Sequence, residues 1–326
     1  MSLKVVPCGS QGLEVSCVGL GCMGMSETYG PAEESRSVRT LHAALEAGMT
    51  FWDTADVYGG GGNERLLSQV LKTYRSQVVL ASKCGIAGRD ADGLVVNGRP
   101  KYIYQACEAS LKRLGVEHLD LYYLHRVDPD VPIEESVGAI GELVGRGLVR
   151  FAGISEAGAE TIRRGHSEFP LSAVQSEYSL FTRGVEEEVL PTLKELGIGL
   201  VAYSPLGRGY LTGGIKAETD LADNDFRRQL PRFSEENLKR NYRLVARLKE
   251  VAEARGATAA QVALAWLAQR EGVIPIPGTT KPERVFENAQ AGRMELEPQE
   301  MATLDFDARS VSGARYSPYL EKAVGR

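Results

Sequence analysis

The chain has 326 residues, 43% hydrophobic and 25% charged, with a formal net charge of −5. That length admits two ordinary domains or one large α/β barrel, and the acidic balance argues against a nucleic-acid partner. No segment approaches the roughly 20 apolar residues of a membrane span, and the start "MSLKVVPCGS" lacks the apolar core of a secretory signal.

In chain order, "LKVVPCGSQGLEVS" reads as a hairpin turning near Gln11 and Gly12, suited to closing a barrel floor. The next stretch, "VGLGCMGM", carries Gly19, Gly21 and Gly24 in the spacing G-x-G-x-x-G of a dinucleotide-binding turn. That fingerprint needs a helix directly behind it and an acid roughly 20 residues on. Here the next helical pattern starts near Glu33, and Asp53 lies 29 residues past Gly24. The fingerprint fails in context, and the segment is expected to be the loop after a first barrel strand.

Eight β-rich runs then punctuate the chain: "EVSCVGLG", "MTFWDTA", "QVVLASK", "LDLYYLH", "VRFAGIS", "SAVQSEY", "IGLVAYS" and "GVIPIPG". Helical patterns separate them. "EESRSVRTLHAALEAG" places Val38, Leu41, Ala44 and Leu45 on one side. It, "YIYQACEASLKRLG" and "VGAIGELVGRG" each stop at a glycine suited to a left-handed cap. Strand–helix alternation implies a parallel sheet covered by helices. Eight units without a linker predict one (β/α)8 TIM barrel domain over residues 1–326 rather than a doubly wound sheet.

The "GGGG" at residues 59–62 precedes no G-K-[ST] and is expected to be a mobile hinge or insertion. Residues 207–233, after the seventh strand, are too long for an ordinary loop and predict a lid or binding loop. Extra helices should open at Ser234 and at Thr258, the latter with a capping box to Gln261, and another should lie at the C-terminus. Five cysteines, without metal-ligand spacing, predict reduced thiols, no metal site and a cytoplasmic location. Cys22 and Cys84 fall near the predicted barrel mouth, where a buried apolar role is the usual one.

Barrel chemistry gathers at the C-terminal strand ends. Those ends are Cys22, Asp53, Lys83, His125, Ser155, Gln175, Tyr203 and Gly278, with Tyr58 five residues beyond Asp53. Singly each has a plain alternative: Asp53 could cap a turn, Lys83 snorkel, His125 sit satisfied in a core, and Tyr58 be a loop aromatic. Together they make a chemical set. A phenol titrates near 10, too high for efficient proton donation at neutral pH. A neighbouring ammonium lowers that value, and an aspartate keeps the ammonium charged. A histidine can then orient a carbonyl. The set suits protonation of a carbonyl oxygen while another group delivers hydride.

"FWDTADVYG", "ASK", "DLYYLHR", "GIS", "VQSEYS", "AYSPLGRGYLTG" and "IPGTTKPERVFENAQA" resemble the aldo-keto reductases in order and spacing, over nearly the whole chain. "LHRVDPDVPIEESVG" and "GISEAG" look most like the bacterial and plant branch with perakine and pyridoxal reductases. The resemblance implies NADPH-dependent reduction of an aldehyde or ketone. Tyr58 would be the general acid, Lys83 and Asp53 its tuning pair, and His125 the carbonyl-orienting group. Ser155 and Gln175 would hold the nicotinamide carboxamide, with Tyr203 stacked on the ring and Gly21, Cys22 and Met23 bordering it. Ser204, Pro205, Leu206, Gly207 and Arg208 would line the pyrophosphate path. Ile276, Gly278, Thr279, Thr280, Lys281, Arg284, Glu287 and Asn288 would surround the adenosine end.

"TKPE" reads as a capping box from Thr280 to Glu283 with Pro282 in the first turn. It places a helix N-terminus, an anion site, directly after the eighth strand. Lys281 and Arg284 add positive charge suited to the 2′-phosphate of NADP. Two departures stand out. Glu156 occupies a position where the family commonly has asparagine, and a carboxylate cannot donate a hydrogen bond. Gly278 stands where many relatives carry lysine.

Two rival readings keep the barrel. One is an NADPH-binding redox-sensing or regulatory subunit with little turnover; the other is Schiff-base chemistry at Lys83, which Asp53 disfavours because the nucleophile must be neutral. Substrate walls are expected near Met25 and Tyr29, in "CGIAGRDADGLVVNG", at Arg126 and in residues 207–233. For Arg126 in "HRVD" a structural ion pair is the expected role, ahead of contact with an anionic substrate.

Overall fold

The computed structural model describes residues 3–26, 30, 32–90, 93–223, 225–308, 311–321, 324 and 325. Tyr29, expected in a substrate wall, lies outside the described residues. The strands are β1 (Val5–Pro7), β2 (Glu14–Ser16), β3 (Leu20–Gly21), β4 (Phe51–Asp53), β5 (Val79–Cys84), β6 (Ile86–Asp90), β7 (Gly93–Val96), β8 (Leu119–Leu124), β9 (Val149–Ser155), β10 (Leu171–Glu177), β11 (Gly199–Tyr203) and β12 (Val273–Pro275). The helices are α1 (Glu34–Ala47), α2 (Gly62–Tyr74), α3 (Pro100–Leu114), α4 (Ile133–Gly145), α5 (Ala159–Glu168), α6 (Val189–Leu196), α7 (Glu235–Ala254), α8 (Ala259–Ala268), α9 (Pro282–Ala291), α10 (Pro298–Ala308) and α11 (Pro318–Glu321).

Eight strands form one parallel sheet in the order β12-β11-β10-β9-β8-β5-β4-β3. A parallel bridge between Gly21 and Gly278 joins its two edges, and the (β/α)8 barrel results. This closure explains the first two glycines of "VGLGCMGM". A Cβ at Gly19 would sit 2.8 Å from the Phe51 ring and 2.9 Å from Ile276, and one at Gly21 would sit 2.8 Å from Ile276 O. The glycines serve close strand approach at the seam, which the failed dinucleotide fingerprint left unexplained.

The hairpin β1–β2 plugs the barrel floor. Its Leu13 and Val15, with Cys8, pack on Phe51, Ala81, Leu121, Tyr123, Ala173, Val201 and Ile274. Because strand side chains alternate between faces, the positions two residues further along point into the same interior, one layer higher. Those positions are Asp53, Lys83, His125, Gln175 and Tyr203. An apolar lower layer thus carries a polar upper layer at the C-terminal mouth.

Predicted helix ends hold: Gly48 and Gly115 cap α1 and α3 with φ of 79° and 69°. Gly147 turns left-handed just past α4. The Thr258 box forms reciprocally, Thr258 N donating to Gln261 Oε1 at 2.9 Å and Gln261 N to Thr258 Oγ1 at 3.2 Å. Ser234 caps α7. The described part of residues 207–233 contains four short 3-10 turns, Gly207–Thr212, Glu218–Asp220, Phe226–Gln229 and Pro231–Phe233, and several of its residues line the mouth. The segment "CGIAGRDADGLVVNG" contains an unpredicted antiparallel hairpin, β6–β7. Among the described residues no helix is long and apolar enough to cross a membrane.

Candidate active site

A cavity of about 1080 Å³ occupies the C-terminal mouth and runs from Asp53, Tyr58 and His125 to Thr280, Lys281 and Arg284. Lys83 is fully buried at its floor. Its ammonium donates to Asp53 Oδ1, to Thr54 O at 2.8 Å and to Tyr58 Oη at 3.4 Å. Gln175 Nε2 donates to the other Asp53 oxygen at 2.8 Å. The chain turns from β4 to α2 through Gly59, Gly60 and Gly61, all with positive φ. The three glycines make a left-handed turn that few other residues could adopt, directly after Tyr58. The Tyr58 and His125 rings meet edge to face, centroids 5.9 Å apart.

The electrostatics differ from expectation at one group. Burial pushes the Tyr58 phenol above its usual value, and Lys83 offsets that only in part. Removal from water outweighs one ammonium at 3.4 Å. Tyr58 therefore stays protonated at neutral pH. Burial acts against the Lys83 charge, yet Asp53 and Tyr58 hold its titration above the ordinary lysine value; it remains an ammonium and not an amine nucleophile. His125 is held well below its usual value by burial, Arg126 and Lys83, so its imidazole is neutral. Its Nδ1 is buried without a partner.

Asp56, two residues before Tyr58, is pushed up to about 7 by burial and by Glu64. Its unfolded counterpart titrates near 3.9, so its contribution to stability is present at low pH and is lost between about pH 4 and 7. We expect Asp56→Asn to gain Tm relative to wild type as pH rises from 4.5 to 7.5; parallel thermal-melt profiles would reject this.

Of the sequence-predicted cofactor residues, Gly21, Met23, Asp53, Ser155, Gln175, Tyr203, Ser204, Pro205, Leu206, Arg208, Ile276, Gly278, Thr279, Thr280, Lys281, Arg284, Glu287 and Asn288 line this cavity. Cys22 and Gly207 do not. Cys22 is packed in the core with its thiol toward Leu20 O, and Gly207 is turned against Phe181 and Leu211. Burial raises the Cys22 and Cys84 thiols, which makes neither a reactive thiolate.

The Thr280–Glu283 capping box is not formed. Lys281 is the N-cap of α9, no side chain caps the turn, and Thr279 Oγ1 accepts from Lys281 N at 3.0 Å. Pro282 in the first turn fixes the backbone there, and the threonine hydroxyl serves the loop. The helix start is left open for an anion. Among the described residues the Lys281 and Arg284 side chains have no acidic partner.

Glu156 is buried and turned out of the cavity. It accepts from Arg315 Nη2 at 2.5 Å and from Glu177 N at 2.9 Å. Arg208 pairs with Glu177 at 2.8 Å and donates to Tyr316 Oη at 2.9 Å. Tyr316 Oη in turn lies 2.9 Å from Tyr203 Oη. Tyr316 is a lining residue that sequence reasoning missed, since nothing near it in the chain signals a barrel mouth.

The model of the aldo/keto reductase family matches residues 17–306. The chain belongs to the aldo-keto reductases. A probable aldo-keto reductase 1 of Glycine max is 44% identical over 320 residues, covering 96% of this chain and 92% of its own. The glycerol dehydrogenase of Gluconobacter oxydans superposes with a TM-score of 0.86 at 28% identity, covering 98% and 99% of the two chains. An aldo/keto reductase from Klebsiella pneumoniae, solved in complex with NADP and acetate, gives 0.75 at 29% identity over 97% and 99%. Aldo-keto reductases are oxidoreductases that use NADP(H) and reduce small-molecule carbonyls. The open, cationic start of α9 and the cavity leading from it to Tyr58 fit that cofactor.

Proposed function

We propose that this aldo-keto reductase reduces an aldehyde or ketone to an alcohol with NADPH, and that Tyr58 donates the proton. The observation that carries the reading is the Tyr58 hydroxyl 3.4 Å from the Lys83 ammonium, at the floor of a cavity whose far end is a cationic helix start. NADPH, when bound, supplies the hydride to the carbonyl carbon. The protonated phenol gives its proton to the carbonyl oxygen, and the Lys83 charge stabilises the phenolate left behind. Asp53 and Thr54 O keep that ammonium in place. Neutral His125 orients the carbonyl without adding charge. Ser155 and Gln175, which line the cavity, would hold the carboxamide, while the Glu156 carboxylate is committed to Arg315. Tyr203 would flank the nicotinamide ring. Lys281, Arg284 and the first turn of α9 take the adenosine phosphate.

The test compares NADPH and NADH in carbonyl-dependent cofactor oxidation. Wild type should favour NADPH, and a Lys281→Ala/Arg284→Ala double variant should raise the KM for NADPH by about tenfold or more, with little change for NADH. Equal use of both cofactors by wild type overturns the phosphate assignment. Tight NADPH binding with no turnover of any aldehyde or ketone would instead fit a redox-sensing subunit.

A further inference from the structure

The residue after His125 has no place in the proton transfer above. Arg126 lines the cavity beside Tyr58, His125 and Ser155. Its Nη1 donates to His125 O at 2.6 Å and to Ser155 Oγ at 3.3 Å, while its Nε is buried without a partner. The ion pair expected from "HRVD" is not made: among the described residues no carboxylate lies within ion-pair reach of Arg126. The acids nearby are engaged elsewhere. Asp128 accepts from Gly98 N and Asp130 N, Glu156 from Arg315, and Asp53 from Lys83 and Gln175.

The local charge count follows. Lys83 and Asp53 cancel, while His125 and Tyr58 are neutral. Among the described residues Arg126 has no ion pair at the reactive end of the cavity, and Glu156, the carboxylate that attracts it, is already paired with Arg315. On the β6–β7 hairpin, Arg89 also lines the cavity without an acidic partner among the described residues. A half-buried cation with a free donor is costly unless an anion meets it. A carboxamide would leave the charge in place, whereas a carboxylate removes it and matches the planar fork.

We propose that Arg126 is a specificity-determining residue that binds the carboxylate of an acidic carbonyl substrate, an oxo acid or aldehyde acid. The inference rests on the carbonyl-reductase reading above. Arg126 positions the substrate and does not take part in bond making.

The experiment measures kcat/KM at saturating NADPH for matched pairs: 4-formylbenzoate against 4-formylbenzamide, and succinic semialdehyde against its methyl ester. Wild type should prefer the acid by tenfold or more in at least one pair, on the order of 1.4 kcal/mol. In Arg126→Met the acid-to-neutral ratio should fall by tenfold or more, to about one or below, with NADPH affinity measured separately by fluorescence quenching. If wild type reduces the neutral members as well as the acids in both pairs, the inference falls while the reductase reading stands. An Arg126→Met variant that keeps the acid preference, or that loses NADPH binding instead, also overturns it. No turnover of any of the four would overturn both. The wild-type comparison decides the matter even if the variant does not fold.

Discussion

Tyr58→Phe should bind NADPH as wild type does and lose turnover by ~10²–10⁴-fold, the usual contribution of a positioned general acid. Among the described residues the hydroxyl makes one long hydrogen bond, 3.4 Å from Lys83 Nζ, so its removal disturbs little structure. The ring keeps its edge-to-face contact with His125. Because burial keeps the phenol protonated through neutral pH, the variant loses a donor that wild type holds ready in every molecule. The loss should appear in kcat, with KM for the carbonyl changed much less. Near-normal kcat with stopped-flow or steady-state assays would remove Tyr58 from the proton transfer.

Lys83→Met should be the most destabilising single change at the site. It deletes an ammonium with a fully buried side chain and leaves the buried Asp53 carboxylate with Gln175 Nε2 as its remaining partner. Breaking a buried pair from one side costs roughly 3–5 kcal/mol, which denaturant titration at neutral pH would resolve. Turnover should fall as well, since among the described residues nothing else within hydrogen-bond reach offsets a phenolate at Tyr58. The double variant Asp53→Asn/Lys83→Met separates the two effects. It removes both charges, so stability should return in part while kcat stays low. Full stability of Lys83→Met, or full recovery of kcat in the double variant, would contradict the pair's proposed role.

The site was legible wherever one strand carried its own signal. Asp53, Lys83, His125, Ser155, Gln175 and Tyr203 fall at or near the ends of β-rich runs, and alternation alone puts all of them but Ser155, which follows Gly153, one layer above an apolar neighbour in the barrel. The Thr258–Gln261 box formed and the Thr280–Glu283 box did not, though the patterns match equally well. Pro282 and the loop bond from Thr279 to Lys281 N set the entry to α9, and a four-residue pattern does not record them. The Gly19 and Gly21 spacing was visible, but its cause, contact with Ile276 across the seam, lay at the other end of the chain.

Periodicity, turn residues and strand-end polarity by themselves determined the barrel and the residues at its mouth, because those preferences act within a few neighbouring positions. Tertiary structure alone decided which charges are spent and which are free. Glu156 is held by Arg315, 159 residues away, and Arg208 by Glu177 and Tyr316. Arg126, with an aspartate two residues ahead of it, is left without an ion pair among the described residues. An ion pair is set by distance and desolvation in the folded chain, and neither quantity is written in local sequence.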